Sequence, residues 1–302
     1  MMQGNRKDDA RVCDLCPRHC HALRGEDGAG YCGMPDVAVV SRCAPHMWEE
    51  PPISGTRGSG TVFFAGCNLG CVFCQNSVIS REKHGRHVSA HELEEMILAL
   101  ADTGVHNINL VTPTHYTHLL SEVLTRVKPK LSVPVVWNSG GYESVESLAR
   151  LEGLVDIYLP DFKFCSSELS AQYAGAKDYC EVASRAIVEM YRQVGNPCFD
   201  AQGMLQRGLM VRHLVLPGCR KDSIAVLRHL SELLPQGGYL LSLLRQYTPA
   251  FAMDAPYKNL HRTLTDFEYT TVSDVALSLG VEGYFQGKAS ADSAYTPDFL
   301  SE

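Results

Sequence analysis

Residues 63–76 read FFAGCNLGCVFCQN and hold three cysteines, Cys67, Cys71 and Cys74. A protein that cages a metal with thiolates usually offers four, so a set of three needs a reason. The triplet follows an apolar run, TVFFA (61–65), that has the length and composition of a buried strand. In a parallel α/β fold, the loop leaving the carboxyl end of a strand is where ligand sites collect. Gly66 and Gly70 bracket the first half of the loop and allow the backbone to turn tightly. Three thiolates spaced Cys-x₃-Cys-x₂-Cys suit three corners of a cubane iron–sulfur cluster and leave the fourth iron open, as a reactive site requires. The other coordination such a triplet suits is zinc completed by a histidine.

The rest of the chain sets the context. It has 302 residues, 45% hydrophobic and 20% charged, which is the composition of a globular protein with a sizeable core. A net charge of −7 argues against a broad nucleic-acid footprint, which needs a basic face. The N-terminal MMQGNRKDDA has no apolar region like that of a signal peptide, and no apolar run approaches the roughly 18 residues of a membrane span. The expectation is a cytoplasmic protein without a membrane or nucleic-acid partner. Disulfides are then disfavoured, yet there are 12 cysteines, eight of them within the first 74 residues. That clustering points to metal or iron–sulfur chemistry at the N-terminal end.

Past residue 60, further apolar runs stand at 107–111, 133–137, 155–159, 209–216, 239–244 and 281–286, separated by stretches with helical spacing. Ser89 and Glu92 form a capping box ahead of Leu93, Met96, Ile97 and Leu100, and Gly104 ends that helix. Further helices are expected over 115–127, 143–151, 180–194, 221–234 and 266–279. Strands alternating with such helices make parallel strands joined by crossovers. Periodicity leaves open whether six units and a final strand curl into a partial barrel or lie as an open doubly wound sheet. Residues 1–60 read as a cysteine-rich, loop-rich metal-binding segment, 61–287 as the α/β body, and 288–302 (KASADSAYTPDFLSE) as a polar, frayed tail.

The cysteine motif, with Phe73 directly before its last cysteine, resembles the signature of the radical S-adenosylmethionine (SAM) superfamily. Extended over GSGTVFFAGCNLGCVFCQNSVIS (58–80), NLVTPTHY (109–116), YLPDFKF (158–164), VRHLVLPG (211–218) and QYTPAF (246–251), the chain is similar to homologues of pyruvate formate-lyase activating enzyme, within a branch carrying an N-terminal cysteine segment. The resemblance implies a TIM-like partial (β/α)6 barrel and a 4Fe-4S cluster on Cys67, Cys71 and Cys74. It further implies SAM at the open iron, cleaved reductively to a 5′-deoxyadenosyl radical that abstracts hydrogen from a protein or peptide substrate. A flavodoxin- or ferredoxin-type donor would supply the electron. Phe73 matches the aromatic residue near the adenine. Asp161 and Lys163 match the D-x-K of the activating enzymes, and Arg212 matches the arginine of their R-x-V-V-P-G strand; an arginine fork or a lysine suits the methionyl carboxylate. The superfamily's Gly-Gly-Glu-Pro segment is absent. Residues 109–115 read NLVTPTH instead, so Thr112 and Thr114 are left to offer acceptor oxygens, with Asn109 beside them among the SAM-binding candidates. The family's histidine after the sixth strand has no clear counterpart; Gln246 and Tyr247 stand nearest.

Ahead of all this, CDLCPRHC (13–20) and GYCG (30–33) place Cys13, Cys16, Cys20 and Cys32 on a short segment with no core of its own, the pattern of a second metal site. Zinc and an auxiliary iron–sulfur cluster both suit it. His115 and His118 stand at i, i+3, where a helix could present both to a metal, although a helix-start histidine with a solvated partner is the simpler reading. The glycines of WNSGGY (137–142) suit backbone near a ligand or a plain turn, and the irregular 248–259 stretch suits a loop shaping the substrate mouth. The functional expectation is a radical SAM oxidoreductase, as a glycyl-radical-enzyme activase or as a modifier of another peptide or small molecule. The rival is a non-catalytic iron–sulfur or zinc protein.

Overall fold

The computed structural model of the chain describes residues 12–25, 27–287, 297 and 299. Ten strands form its sheet: β1 (Ala38–His46), β2 (Ser59–Phe64), β3 (Arg86–Val88), β4 (Ile108–Val111), β5 (Val135–Ser139), β6 (Ile157–Pro160), β7 (Cys198–Phe199), β8 (Leu205–Leu214), β9 (Leu240–Leu244) and β10 (Gly283–Phe285). The order across the sheet is β10-β9-β8-β6-β5-β4-β2-β1-β3, with β7 paired to β8. All pairs from β2 to β10 along this path are parallel. Every residue of β2, β4, β5, β6 and β9 is buried, as expected of strands covered on both faces. The sheet is open, with β3 and β10 at its edges, and of the two architectures the periodicity allowed it takes the partial barrel.

The crossovers are helices where helical spacing was read: Ala90–Asp102, Thr117–Val127, Val145–Ala149, Tyr179–Val194, Arg220–Leu233 and Asp266–Ser278. The Ser89–Glu92 capping box is present in both directions, and Leu93, Ile97 and Leu100 face the core. Inside the barrel, Val136, Ile157, Leu159, Leu205, Met210 and Leu240 form an apolar layer, against which Ile53 packs.

Four features depart from the sequence reading. The segment read as loop-rich contains β1, nine residues that run antiparallel to β2 from Val40 opposite Phe64 to His46 opposite Ser59. Its run AVVSRCAPH shows little alternation, so its order comes from pairing with β2 and β3 rather than from its own pattern. A helix over Ser167–Ala174, capped by the Ser166 side chain and ended by Gly175 at φ 65°, was not anticipated in its weakly amphipathic sequence. The strand β8 begins four residues before its apolar run, because β7 folds back onto its start. Most of the tail expected to fray (288–296, 298 and 300–302) lies outside the described residues, but Phe299 is buried, edge-on to Phe63 at 5.2 Å between ring centres.

Candidate active site

Because the strands are parallel, residues just past their carboxyl ends share one rim. There they enclose a cavity of about 230 Å³ whose wall includes Cys67, Cys71, Phe73 and Cys74 beyond β2, Thr112 beyond β4, and Asn138 to Gly140 at the end of β5. Asp161 and Lys163 beyond β6, Arg212 in β8 and Gln246 beyond β9 complete it. The cavity thus brings together the cysteine triplet, Phe73, Thr112, Asp161, Lys163 and Arg212.

The cysteine loop is shaped by contact. Gly66 has φ 80°, and a Cβ there would lie 2.2 Å from Met34 Cγ, so only glycine lets the chain leave β2 this way. The Leu69 amide donates to Cys67 Sγ at 3.3 Å, and Cys74 Sγ lies 3.3 Å from Ser80 Oγ. Burial, and next the neighbouring Cys71, push the Cys67 thiol up to about 12; burial pushes Cys71 up to about 11 against the pull of Lys163. Thiols this reluctant to ionise need a strong cation to become thiolates, and metal binding with proton release supplies one. Among the described residues, no group of three or more His, Cys, Asp or Glu stands ready to hold a single metal ion. Three cysteines around one cavity, Cys71 buried and Cys67 and Cys74 half-buried, beside a lysine, are a donor set that fits a cluster wider than one ion.

Opposite the sulfurs is a charged cluster. Lys163 Nζ donates to Asp161 Oδ2 at 2.5 Å, and Arg212 Nε lies 3.3 Å from Asp161 Oδ1. Burial works against Asp161, but Lys163 and then Arg212 outweigh it and hold the carboxyl below its usual range. Burial likewise opposes the Lys163 ammonium; Asp161, followed by Cys71, keeps it protonated. Arg212 also donates to Asn138 Oδ1 and, at 3.2 Å, to Glu49 Oε2.

Thr112 is a β-branched residue at φ 58°, in the left-handed region that such residues rarely occupy. Its amide donates to Asn138 O at 2.9 Å, which fixes the strained turn at the cavity wall. Two other candidates point elsewhere. The Thr114 hydroxyl donates to Glu143 at 2.9 Å, a buried carboxylate that also accepts from Trp137 Nε1 and Ser139 Oγ. Asn109, fully buried, donates to Glu49 Oε1 at 3.0 Å.

Sequence reasoning did not single out Glu49, Asn138 or Tyr179. The Tyr179 hydroxyl accepts from the Lys163 amide at 3.0 Å and reaches the carbonyls of Gly140 and Asp161 at 2.8 and 2.9 Å, tying two rim loops together. Nothing local marks Glu49, which β1 and its turn deliver from outside the region the apolar runs define. Of the other candidates, His115 Nε2 contacts Ala65 O at 2.8 Å and His118 Nε2 contacts Asp36 at 3.0 Å, so the two rings do not converge on a metal. Gln246 lines the cavity and bonds to Gln75, whereas the Tyr247 hydroxyl is buried against Leu260 O. The loop over 248–259 packs through Asn259 on Tyr173 and Pro217 rather than on the cavity wall.

The N-terminal cysteines lie near one another, without forming a ready single-ion site among the described residues. Cys16 lies within electrostatic reach of Cys13, Cys32 and Cys20, and Cys13, Cys16 and Cys32 are buried while Cys20 is exposed. Two arginines lash this segment to the rim. Arg18 donates to Asn68 O (2.8 Å) and Gly175 O (2.5 Å) with its guanidinium over the Tyr31 ring. Arg24, 2% exposed, donates to the carbonyls of Met34, Pro35 and His115.

A partial parallel barrel with a three-thiol loop lining a cavity at its carboxyl rim defines a class of fold and site. Residues 61–201 match the family model of the Radical SAM superfamily. Protein MJ0674 of Methanocaldococcus jannaschii is 29% identical over 280 residues, covering 89% of this chain and 75% of that protein. Among solved structures, Streptococcus suis SuiB bound to S-adenosylmethionine superposes with a TM-score of 0.51 at 11% identity, over 74% of this chain and 48% of SuiB. SuiB bound to its precursor peptide SuiA gives the same score over 47% of that chain, so this chain spans about half of SuiB. Among the described residues, no helix is long and apolar enough to cross a membrane.

Proposed function

We propose that this chain is a radical SAM enzyme acting on a protein or peptide, with the activation of a glycyl radical enzyme as its reaction. One observation carries the reading: Cys67, Cys71, Cys74, Thr112, Asp161, Lys163 and Arg212, drawn from three strand ends and one strand, line a single cavity. When bound, a reduced 4Fe-4S cluster supplies the electron that splits SAM into methionine and a 5′-deoxyadenosyl radical. Cys67, Cys71 and Cys74 hold the cluster, and Phe73, 7% exposed and edge-on to Phe164, offers a face to the adenine. Lys163 and Arg212 present cationic donors to the methionyl carboxylate. Thr112 offers its hydroxyl from a backbone held in place by Asn138. The buried wall keeps water from a reactive species.

The peptide substrate draws support from SuiB, solved with a precursor peptide on a similar fold. The activase reaction rests on the sequence motifs shared with activating enzymes. A flavodoxin- or ferredoxin-type protein is the electron donor in this reading. Cys13, Cys16, Cys20 and Cys32 hold a second metal, zinc or an auxiliary cluster, and Asn109 and Thr114 act behind the wall through Glu49 and Glu143. In domain terms, 1–60 is the metal-binding segment, 61–287 the catalytic barrel and 288–302 a tail.

The test is release of 5′-deoxyadenosine by anaerobically reconstituted protein given SAM and dithionite, beside the Cys67→Ala/Cys71→Ala/Cys74→Ala variant. Product from the wild type alone is expected. A cluster-loaded wild type that releases none refutes the reading. An electron paramagnetic resonance doublet on a co-incubated glycyl radical enzyme tests the activase step, and metal analysis of a Cys13→Ser/Cys16→Ser variant tests the second site.

A further inference from the structure

The lower half of the cavity is richer in acceptors than its cations require. The β1 strand descends beside β2, so Glu49 enters the barrel from the end opposite the cysteines. Six residues at ~3.3 Å each make β2 roughly 20 Å long, and Cys67 lies three residues past its upper end. Glu49 accepts from Asn109, which lies opposite Thr61 low in β2, so its carboxylate stands well below the sulfurs while lining the same cavity. Its side chain is 9% exposed.

Two buried acceptors beside it have no partner. Glu50 is 8% exposed and its Oε2 makes no hydrogen bond; Asn109 is fully buried and its Oδ1 makes none. Glu49, Glu50 and Asp161 all act on Arg212, and Lys163 is occupied by Asp161, which leaves three carboxylates facing two cations. His46, the remaining titratable group in the lower wall, is held neutral: burial, and then Arg42, press its pKa down to about 4. Burial pushes Glu49 up to about 7 even against Arg212, so it is under-compensated. Glu50 and Asn109 stand behind the wall, and at the cavity itself Arg212 is shared between Glu49 and Asp161, so the Glu49 carboxylate at the floor is short of a cationic donor of its own.

We propose that this floor receives a positively charged nitrogen of the substrate, a protonated amine or a guanidinium, with Glu49 as its main acceptor. The inference rests on the radical SAM reading and narrows its substrate class to one with a basic group, a lysine or arginine side chain in a peptide or a free amine. The cation anchors the substrate at the floor while its reacting carbon lies nearer the rim, where Lys163 and the cysteines stand.

The experiment titrates N-acetyl-lysine amide, N-acetyl-arginine amide and the neutral N-acetyl-norleucine amide into the reconstituted protein, with and without SAM. Binding is read by calorimetry and saturation-transfer NMR; butylamine and a lysine-containing pentapeptide separate a free amine from a peptide. At least one cationic probe should bind about tenfold or more tightly than the norleucine compound. Glu49→Gln should remove that preference and Glu49→Asp should retain part of it. Equal binding of the neutral probe overturns the proposal, even if Glu49→Gln does not fold. A Glu49→Gln protein that keeps the preference but loses SAM affinity overturns it too, by assigning Glu49 to SAM. Wild type that cleaves SAM without cation preference sinks this inference alone; wild type that prefers cations without releasing 5′-deoxyadenosine sinks the radical reading alone.

Discussion

Thr112→Gly separates the demands of the fold from those of the site. A β-branched side chain at φ 58° strains its own backbone, by roughly 1–2 kcal/mol for an L-residue in the left-handed region. Glycine removes that strain but adds entropy to the unfolded chain, worth about 0.5–1 kcal/mol. The backbone contact that fixes the turn, Thr112 N–H to Asn138 O, survives the change. The net is a stabilisation of about 0.5–1 kcal/mol, a rise of about 2 °C in melting temperature for a domain of this size. If the strain is retained because the hydroxyl contacts SAM, the same variant binds SAM about tenfold more weakly, the worth of one hydrogen bond to a charged group. Anaerobic scanning calorimetry reads the first quantity and equilibrium dialysis of labelled SAM the second. A variant destabilised by 1 kcal/mol or more would show that Thr112 is held by structural contacts and refute the strain argument. A stabilised variant with unchanged SAM affinity would remove Thr112 from the site.

Arg24→Met keeps the buried stem but leaves the carbonyls of Met34, Pro35 and His115 without their donor. Each orphan costs about 1–3 kcal/mol, partly offset by no longer burying a charge, so a loss of about 3 kcal/mol is expected. Hydrogen exchange should rise over residues 12–36 and over the cysteine loop that Met34 supports; unchanged exchange there would show that Arg24 does not couple the two. His115 and His213 are buried and neutral, with burial pressing their pKa values down to about 3 and 4. The unfolded chain then takes protons first as pH falls below about 6.5, so their contribution is complete at neutral pH and is lost toward pH 4. Glu49, pushed up to about 7, has the opposite sign over part of this window, so the histidine contribution is isolated by difference. His213→Asn, which keeps a donor for the Phe162 carbonyl, should lose about 1–2 kcal/mol less than wild type between pH 7 and pH 5 in urea titrations, and parallel losses would contradict the assignment.

Much of this fold is legible because it is written locally. Runs such as NINLV and YLLSLL are buried on both faces and can be little else than central strands, and the Ser89–Glu92 box marks its helix start with groups three residues apart. The Cys67, Cys71 and Cys74 spacing is local as well, and so is the Asp161–Lys163 pair, which closes on itself across one residue. The strand β1 was not legible, because its order comes from its neighbours in the sheet, nor was the helix over Ser167–Ala174, whose apolar face is narrow.

What the sequence determined by itself is the parallel alternation of strands and helices and the identity of the three-thiol loop, since both depend on residues close together in the chain. Tertiary structure alone decided what surrounds that loop. It turned Thr114 toward Glu143 and left Thr112 at the wall, and it brought Arg18 across 50 residues to the carbonyl of Asn68. It also carried Glu49 across 163 residues to Arg212. A buried charge is satisfied by whatever group packing places beside it, and no local pattern encodes a partner delivered from another strand.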